Sequence, residues 1–194
     1  MVVKIIRLLL LAFLLVSACK KEEKTSEEIV IPMQLLGDTN LEFLQGHFWY
    51  SYYPPAAGGF FVGRIDTVSF SPTHSFMISR TTPDSVNFAY YAQIYFLQMP
   101  VGDDLTLKAY IKGVNLEGEG ASILIGCNDE NNAPVQYEGT EGNISITGTF
   151  DWTPYTIDLI DLKSNVKTIY VFLIYLPNTT GTAYFDDITL TRSQ

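Results

Sequence analysis

The sequence predicts an all-β protein, built as an antiparallel sandwich or a barrel. No stretch sustains an apolar period of three to four residues, whereas apolar and polar residues alternate with period two along most of the chain. Gly, Pro, Asn and Asp separate these segments as turns do. Short strands without intervening helices bury their apolar sides against other strands, so they form two packed sheets or a closed barrel.

The strands can be predicted in chain order from this alternation. They are EIVIPMQLL, GHFWYSYY, FFVGRIDTVSF, HSFMISR, VNFAYYAQIYFLQ, LTLKAYIKG, ASILIGC, NISITGTF, YTIDLIDL, KTIYVFLIYL and TAYFDDITLT. LTLKAYIKG alternates strictly, as a half-buried strand does. KTIYVFLIYL is apolar on both sides, which predicts a central strand covered on both faces. VNFAYYAQIYFLQ has aromatic residues on both sides, which favours a strand whose outer side lines a groove. EGEG is interpreted as a turn between two strands.

The last predicted strand contains an irregularity. Strict alternation cannot turn Phe185, Ile188 and Leu190 to one side, but a β-bulge of one residue between them can. Asp186 and Asp187 lie at this point, and we expect them to point in different directions and to perform different tasks. One of them then binds either a cation such as Ca²⁺ or the backbone amides of a neighbouring loop.

The N-terminus predicts a lipid-anchored protein of the cell envelope. A basic start, a short apolar run and small residues before Cys19 form a signal peptide over residues 1–18 and resemble a bacterial lipobox. Cys19 is the predicted lipidation site, and residues 19–30 form a charged tether. KEE at residues 21–23 resembles the export signal of surface lipoproteins, which predicts an outer-membrane, cell-surface location. A plain signal peptide and an ordinary linker are the alternatives.

The length of the remaining chain, residues 31–194, predicts a single sandwich domain. The net charge is −9 and no basic patch is present, so the sequence argues against nucleic acid as a partner. Cys127 lies in an apolar run and is expected to be a core residue.

The order of five segments resembles carbohydrate-binding modules of the galactose-binding-like jelly-roll group. These segments are NLEFLQGHFW, SPTHSFMIS, YAQIYFLQMPVGDDLTLKAYIKGVNLEGEGASILIG, GTFDWTPYTIDL and GTAYFDDITL, and they span about residues 38–191. The resemblance implies a two-sheet jelly roll with a glycan groove lined by Trp and Tyr. It also implies a structural calcium ion held by Asp186 and an N-terminal Glu. Leu44 occupies the matching Glu position, so Glu42, two residues earlier and on the same side of a strand, is the candidate for the second calcium ligand.

The candidate glycan-binding residues come from two aromatic segments. Aromatic rings stack on the apolar faces of sugars, while amide side chains bind their hydroxyl groups. The candidates are Trp49, Tyr50, Tyr52, Tyr90, Tyr91, Gln93 and Tyr95. For any one of these rings, a place in the core is the competing interpretation.

The sequence therefore predicts a non-catalytic, cell-surface module that binds glycan or another extracellular ligand, beside a surface transporter or enzyme. The chain has no Gly-x-Ser-x-Gly elbow and no His-Glu-x-x-His motif. An adhesion or protein-interaction sandwich without a glycan site is the first alternative. A small glycoside-active enzyme, which would need two carboxylates about 5–10 Å apart, is the second.

Overall fold

The computed structural model describes residues 33–43, 48–54, 59–96 and 102–193. The predicted signal peptide, Cys19, the tether and Leu44 lie outside these ranges. Ten strands occur within them: β1 (Met33–Gln34), β2 (Tyr50–Tyr52), β3 (Phe60–Ile65), β4 (Ser75–Arg80), β5 (Ala89–Phe96), β6 (Asp104–Asn128), β7 (Pro134–Gly139), β8 (Ile146–Leu159), β9 (Thr168–Tyr175) and β10 (Thr180–Ser193). Every strand pairing is antiparallel, which confirms the all-β prediction. None of the described residues belongs to a helix long and apolar enough to cross a bilayer.

The strands form a two-layered sandwich of the jelly-roll type, and β6 runs through both layers. Its residues 104–117 lie in sheet I, which has the order β8–β6–β10–β4–β3, with β1 beside β10. Its residues 121–128 lie in sheet II, which has the order β7–β6–β9–β5–β2. Alternate residues from both halves, such as Leu107 and Ile125, share one buried core. This shared core shows that the two sheets pack face to face.

The segment EGEG lies inside β6, at its bend from sheet I to sheet II. The sequence interpretation placed a turn here between two separate strands, and the structure corrects it to one continuous strand of 25 residues. Gly118 and Gly120 both have positive φ, at 88° and 84°. Glycine adopts this conformation without the steric penalty that other residues pay, so the two glycines let β6 change sheets while its pairing continues.

We expect Gly118→Ala to destabilise the fold much more than Gly142→Ala. A Cβ at Gly118 would collide with the carbonyl oxygen of Asn178, whereas a Cβ at Gly142 meets nothing within 4 Å. Both glycines have positive φ, so the backbone strain is common to the two variants. The collision should add about 2 kcal/mol to the loss at Gly118, as overpacking does. Urea unfolding measures the difference, and equal losses would contradict the assigned close approach.

The bulge predicted in the last strand is confirmed. Asp186 is paired with Tyr110, whereas Thr189 is paired with Lys108, so one extra residue lies in β10 between these two pairs. Asp187 has a φ of 45°, as a residue at a bulge can. The side chains of Phe185, Ile188 and Leu190 are all completely buried. The bulge therefore keeps three apolar side chains in the core on both sides of the irregularity.

The predicted position of β9 is also confirmed, but its predicted surroundings are wrong. β9 lies between β5 and β6 in sheet II. Ile169, Val171 and Leu173 point into the core, whereas Tyr170 and Phe172 on the other side are only half-buried. No described layer covers this outer side, so its apolar residues form part of the protein surface.

Candidate functional site

The outer surface of sheet II carries a continuous group of aromatic rings. We call this surface the aromatic face, and its rings are Tyr50, Tyr52, Phe88, Tyr90, Tyr137, Tyr170 and Phe172. The strand registers place these residues together: Tyr52 is paired with Tyr90, Ala92 with Phe172, and Gly126 with both Tyr170 and Tyr137. Because side chains at directly paired positions lie on the same side of a sheet, these rings share one surface.

Six of the seven rings of the aromatic face, all except Tyr137, are linked by ring contacts. Tyr52 stacks on Tyr90 at a centroid distance of 5.3 Å, and Tyr90 meets the edge of Phe172 at 5.3 Å. Phe172 in turn stacks beside Tyr170 at 5.9 Å. The Tyr170 hydroxyl donates a hydrogen bond of 2.8 Å to Asn132 Oδ1. The contacts between these rings restrict the orientation of each ring.

Burial raises the pKa of two phenols of this face, Tyr50 and Tyr90. Burial, followed by the nearby phenols of Tyr90 and Tyr170, raises the pKa of Tyr50 above its ordinary value of 10. Burial and the neighbouring Tyr52 likewise raise the pKa of Tyr90. A neutral phenol can both donate and accept a hydrogen bond, which suits the recognition of ligand hydroxyl groups.

Three of the seven predicted glycan-binding residues lie on the aromatic face. They are Tyr50, Tyr52 and Tyr90, and the first two are 39% and 46% exposed. Trp49 and Tyr91 point the other way, into the core, where both contact the ring of Phe76. The reason is the alternation of a strand, which turns consecutive residues to opposite sides.

Gln93 and Tyr95 also face inward, so their predicted roles are corrected. Gln93 is 5% exposed, and its side chain both accepts from the amide of Gly37 at 2.8 Å and donates to its carbonyl at 3.0 Å. This pair of bonds attaches the segment after β1 to sheet II. Tyr95 packs against the core. Neither side chain reaches the aromatic face, which lies on the opposite side of β5.

The sequence interpretation missed four rings of the aromatic face. Tyr170 and Phe172 could have been found, because they occupy alternate positions of KTIYVFLIYL. Phe88 precedes β5 and stacks near Tyr90 at 6.1 Å. Tyr137 lies on β7, a short strand that the alternation did not indicate, and its side chain is 75% exposed. Cross-strand pairing alone brings Tyr137 beside the others.

The aromatic face ends at a depression of about 630 Å³ beside β7. Its lining residues are Leu124, Tyr137, Glu138, Gly139, Glu141, Gly142 and Asn143. The loop at its edge is anchored by Thr140, which is buried and whose Oγ1 accepts from the amide of Ile123 at 3.1 Å. Glu138 is paired with the fully buried Ile125, so its side chain points to the opposite side of β7 from Tyr137. The depression therefore lies between the exposed ring of Tyr137 and the loop that carries Glu141 and Asn143.

The carboxylate of Asp186, predicted as a calcium ligand, binds backbone amides. Its Oδ2 accepts from the amides of Phe70 at 2.7 Å and Ser71 at 2.9 Å, and its Oδ1 accepts from the amide of Asp187 at 2.7 Å. Burial raises the pKa of this carboxyl, and the amides of Ser71, Phe70 and Asp187 oppose that effect. Asp187 Oδ1 accepts from Ser71 Oγ at 2.5 Å, so both carboxylates hold the same loop, contrary to the predicted separate tasks.

Glu42, the second predicted calcium ligand, also binds a loop. Its Oε1 accepts from the amides of Thr73 and His74, each at 3.0 Å, and its Oε2 contacts Thr73 Oγ1 and His74 Nδ1. N–H and O–H groups direct hydrogen atoms at these oxygens, where a cation would need free lone pairs. Asp186 and Glu42 therefore do not fit a calcium site. Within the described ranges, no three His, Cys, Asp or Glu side chains are grouped to hold a metal ion.

Acid should weaken the loop contact made by Glu42. Burial acts to raise the pKa of Glu42, but the hydrogen bonds from Thr73 and His74 lower it to about 2, from an ordinary value of 4.5. Because the folded-state pKa is depressed, the stabilisation is present above about pH 4.5 and is lost as the pH falls from 4.5 toward 2. Urea unfolding at pH 6 and pH 3 should show a smaller acid loss for Glu42→Gln than for wild type. Glu130→Gln, on an exposed loop, is the control, and an equal change there would contradict the assignment.

A second group of rings lies above the carboxylate of Asp186. We call the hydrogen bonds from Phe70, Ser71 and Asp187 to this carboxylate the Asp186 clamp. Phe70 stacks on Tyr110 at 3.9 Å, and Trp152 lies 6.1 Å from Phe70 and 6.4 Å from Tyr184. Phe70 belongs to the loop that Asp186 holds, and its ring lies with the others on the outer side of sheet I.

Cys127 faces the core and is fully buried, and burial raises its thiol pKa to about 11, as expected of a core residue.

Comparison with known proteins supports the fold. No protein-family model matches the chain, and no curated protein matches it. Among solved structures, TmCBM61 in complex with β-1,4-galactotriose is 14% identical, with a TM-score of 0.53 over 83% of this chain and 99% of that one. A CBM4 structure is 15% identical, with a TM-score of 0.54 over 81% of this chain and 99% of the other.

The same fold occurs in proteins of other kinds. A cyclase from Fischerella sp. TAU is 11% identical, with a TM-score of 0.62 over 84% of this chain and 98% of the cyclase. The chain also resembles a bacteriophage CBA120 tailspike protein, of whose enzymatically active domain it spans only 21%. Identities this low show a shared fold and no shared activity. The comparisons thus place the chain in a β-sandwich fold that carbohydrate-binding modules share.

Proposed function

We propose that this protein is a non-catalytic carbohydrate-binding module that binds a glycan on the aromatic face. The observation that supports it best is the row of interlocked rings on one outer sheet surface. Sugars present apolar C–H faces to such rings and hydroxyl groups to the phenol groups beside them. Solved carbohydrate-binding modules with the same fold, one of them bound to a galactotriose, support the proposal.

The proposed location is the outer surface of the outer membrane, with the lipid on Cys19 as the anchor. A signal peptide that ends in small residues before a cysteine supports this. The module would then hold glycan at the cell surface for a neighbouring transporter or enzyme. Mass spectrometry of the mature N-terminus tests the anchor, since acylated Cys19 is expected there. We expect the Cys19→Ala variant to be found in the soluble fraction, because it lacks the proposed lipid anchor.

A glycan array probed with the mature, detergent-extracted protein tests the binding function. We expect at least one polysaccharide or oligosaccharide to bind, and calorimetry on that ligand should give a defined stoichiometry. The absence of binding across plant, fungal and bacterial glycans would favour the alternative of a protein-interaction sandwich.

Glycoside hydrolysis is the second candidate function, because Glu141 lines a depression beside the exposed ring of Tyr137. Glycosidases use two carboxylates across the scissile bond. The bound oligosaccharide should be incubated with the protein and analysed for shorter products. We expect it to remain intact, and the appearance of reducing ends that is lost in Glu141→Gln would establish an enzyme instead.

A further inference from the structure

We propose that the aromatic face selects a sugar with a free hydroxyl group, and that Asn132 sets this selectivity by fixing Tyr170 as a hydrogen-bond acceptor. The inference rests on the proposed glycan-binding function and adds the substitution state of the sugar that the face accepts. It depends on a hydrogen-bond network at the end of sheet II and on an open position beside Tyr170.

The hydrogen bonds around Asn132 allow one arrangement of donors and acceptors. Asn128 Nδ2 lies 3.3 Å from the backbone carbonyl oxygen of Asn132, and a carbonyl oxygen can only accept, so this atom of Asn128 is the amide nitrogen. The same nitrogen donates to the Asn132 side chain at 2.9 Å, which must therefore present its oxygen, Oδ1. Tyr170 Oη lies 2.8 Å from that oxygen and must donate its proton to it. The Tyr170 hydroxyl thus has only lone pairs left for a ligand.

The loop that carries Asn132 is held by its own hydrogen bonds. Asp129 Oδ1 accepts from the amides of Asn131 at 2.8 Å and Ala133 at 2.9 Å. The backbone amide of Asn132 donates to the carbonyl of Asp129 at 3.1 Å. Asn132 has a φ of 62°, a left-handed conformation that asparagine adopts more readily than most residues. These contacts place the Asn132 side chain against Tyr170.

Gly126 leaves an open position between two rings of the face. It is paired with Tyr170 on one side and with Tyr137 on the other, so both rings flank a residue that has no side chain. Adjacent strands lie about 4.8 Å apart, so the two tyrosines start about 10 Å from each other, which suits one ring stacked between them.

The fold does not require a glycine at this position. The φ of Gly126 is not positive, and a Cβ there would make only ordinary contacts, the nearest at 3.5 Å from Leu124. Glycine weakens the interior of a strand and often marks the close approach of a ligand. Gly126 therefore points to a sugar that lies directly on the sheet beside Tyr170.

A hydroxyl group of a sugar in this position can donate to Tyr170, whereas an ether or ester oxygen cannot. O-Methylation and O-acetylation leave an oxygen that only accepts, and it would face the lone pairs of the Tyr170 hydroxyl. Two acceptors form no hydrogen bond with each other, and both oxygen atoms lose their bonds to water. The arrangement thus favours a sugar that is unsubstituted where it meets Tyr170.

The test compares polysaccharides that have free hydroxyl groups with the same polysaccharides after partial O-methylation. β-1,4-Galactan, β-1,3-glucan and starch are each presented in both forms to the mature protein, and the affinities are measured. For any free form that binds, we expect the O-methylated form to bind at least about 5-fold more weakly. Equal or tighter binding of the O-methylated form would overturn the inference.

Variants of Asn132 separate the direction of this hydrogen bond from the bulk of the methyl group. Asn132→Gly keeps the left-handed backbone but removes the acceptor, so Tyr170 can turn its proton toward an ether oxygen, and the ratio of free to O-methylated binding should fall about 3-fold. Asn132→Asp keeps an oxygen acceptor and should retain the wild-type ratio. Asn131→Gly makes the same substitution at an exposed neighbour and should also retain it. An unchanged ratio in Asn132→Gly, or an equal fall in either of the other variants, would overturn the role of Asn132.

Gly126→Val tests the open position separately. Valine favours a strand, so the Tm should not fall, whereas its side chain occupies the space between Tyr170 and Tyr137. We expect the affinity for the free polysaccharide to fall at least about 10-fold. Wild-type affinity in this folded variant would overturn the assigned position. Gly126→Ala, whose Cβ makes only ordinary contacts, serves if the valine variant is less stable.

Failure of the binding function itself gives a different result. If no polysaccharide binds in either form, the proposed function and this inference are both overturned. If free and O-methylated forms bind equally well, only the selectivity for a free hydroxyl group is overturned.

Discussion

Replacing Asp186 with alanine is expected to lower the free energy of unfolding by about 4 kcal/mol. The carboxylate is completely buried, and it accepts hydrogen bonds from the amides of Phe70, Ser71 and Asp187. Each buried amide left without an acceptor costs about 1–3 kcal/mol. For a chain of this size, the loss corresponds to a fall in Tm of about 8–16 °C.

The effect should extend to the neighbouring rings, which distinguishes it from a general loss of packing. Phe70 stacks on Tyr110 because its own backbone is held by Asp186. The loop that carries Phe70 should therefore lose hydrogen-exchange protection in the variant, even at temperatures where the core stays folded.

A metal chelator should leave the Tm of the wild-type protein unchanged, because the Asp186 carboxylate binds backbone amides.

Asp158→Asn is the matched control for this experiment. Asp158 also lies on sheet I and accepts a hydrogen bond, from Thr106 Oγ1 at 2.6 Å, but the pair is exposed. Exposed pairs of this kind contribute little, so we expect a change within about 0.5 kcal/mol. If Asp186→Ala lowered the free energy of unfolding as little as Asp158→Asn does, the stabilising role assigned to the Asp186 hydrogen bonds would be wrong.

Removing two central rings of the aromatic face should weaken glycan binding about 100-fold. Tyr90 and Phe172 lie 5.3 Å apart at the middle of the ring chain. Truncation of a central aromatic contact typically costs 1–2 kcal/mol or more, which is about 10-fold for each ring. Calorimetry of the Tyr90→Ala/Phe172→Ala variant with the glycan found on the array measures the loss.

The control is a pair of rings on the opposite side of the sandwich. Phe61→Ala/Tyr184→Ala removes one exposed and one half-buried ring from the outer side of sheet I. This variant should bind the glycan with wild-type affinity. Thermal melts of both variants show whether each is folded. Wild-type affinity in the Tyr90→Ala/Phe172→Ala variant would show that the glycan binds elsewhere.

The features that the sequence predicted correctly are local ones. Period-two alternation predicts strands because consecutive side chains must point to opposite sides. The bulge in β10 followed from the same rule, since Phe185, Ile188 and Leu190 can all be buried only if one residue is added between them. These predictions depend only on a few neighbouring residues and on the free energy of exposing or burying their side chains.

The choice between the two sides of a strand could not be predicted. Tyr90 and Tyr91 are adjacent and chemically identical, yet Tyr91 stacks on Phe76 in the core and Tyr90 lies on the surface. Alternation requires only that they differ, and the partner sheet decides which one is buried. The sequence therefore indicated that some of these rings are exposed without indicating which.

The sequence by itself determined the all-β fold, the period of each strand and the bulge, because these depend on short-range sterics and polarity. Only the tertiary structure decided that Asp186 binds the amides of a loop 115 and 116 residues away, and that Gln93 holds Gly37. It also brought Tyr137 to the same surface as Tyr52. Contacts between distant segments depend on strand order and register, and local residue patterns leave both undetermined.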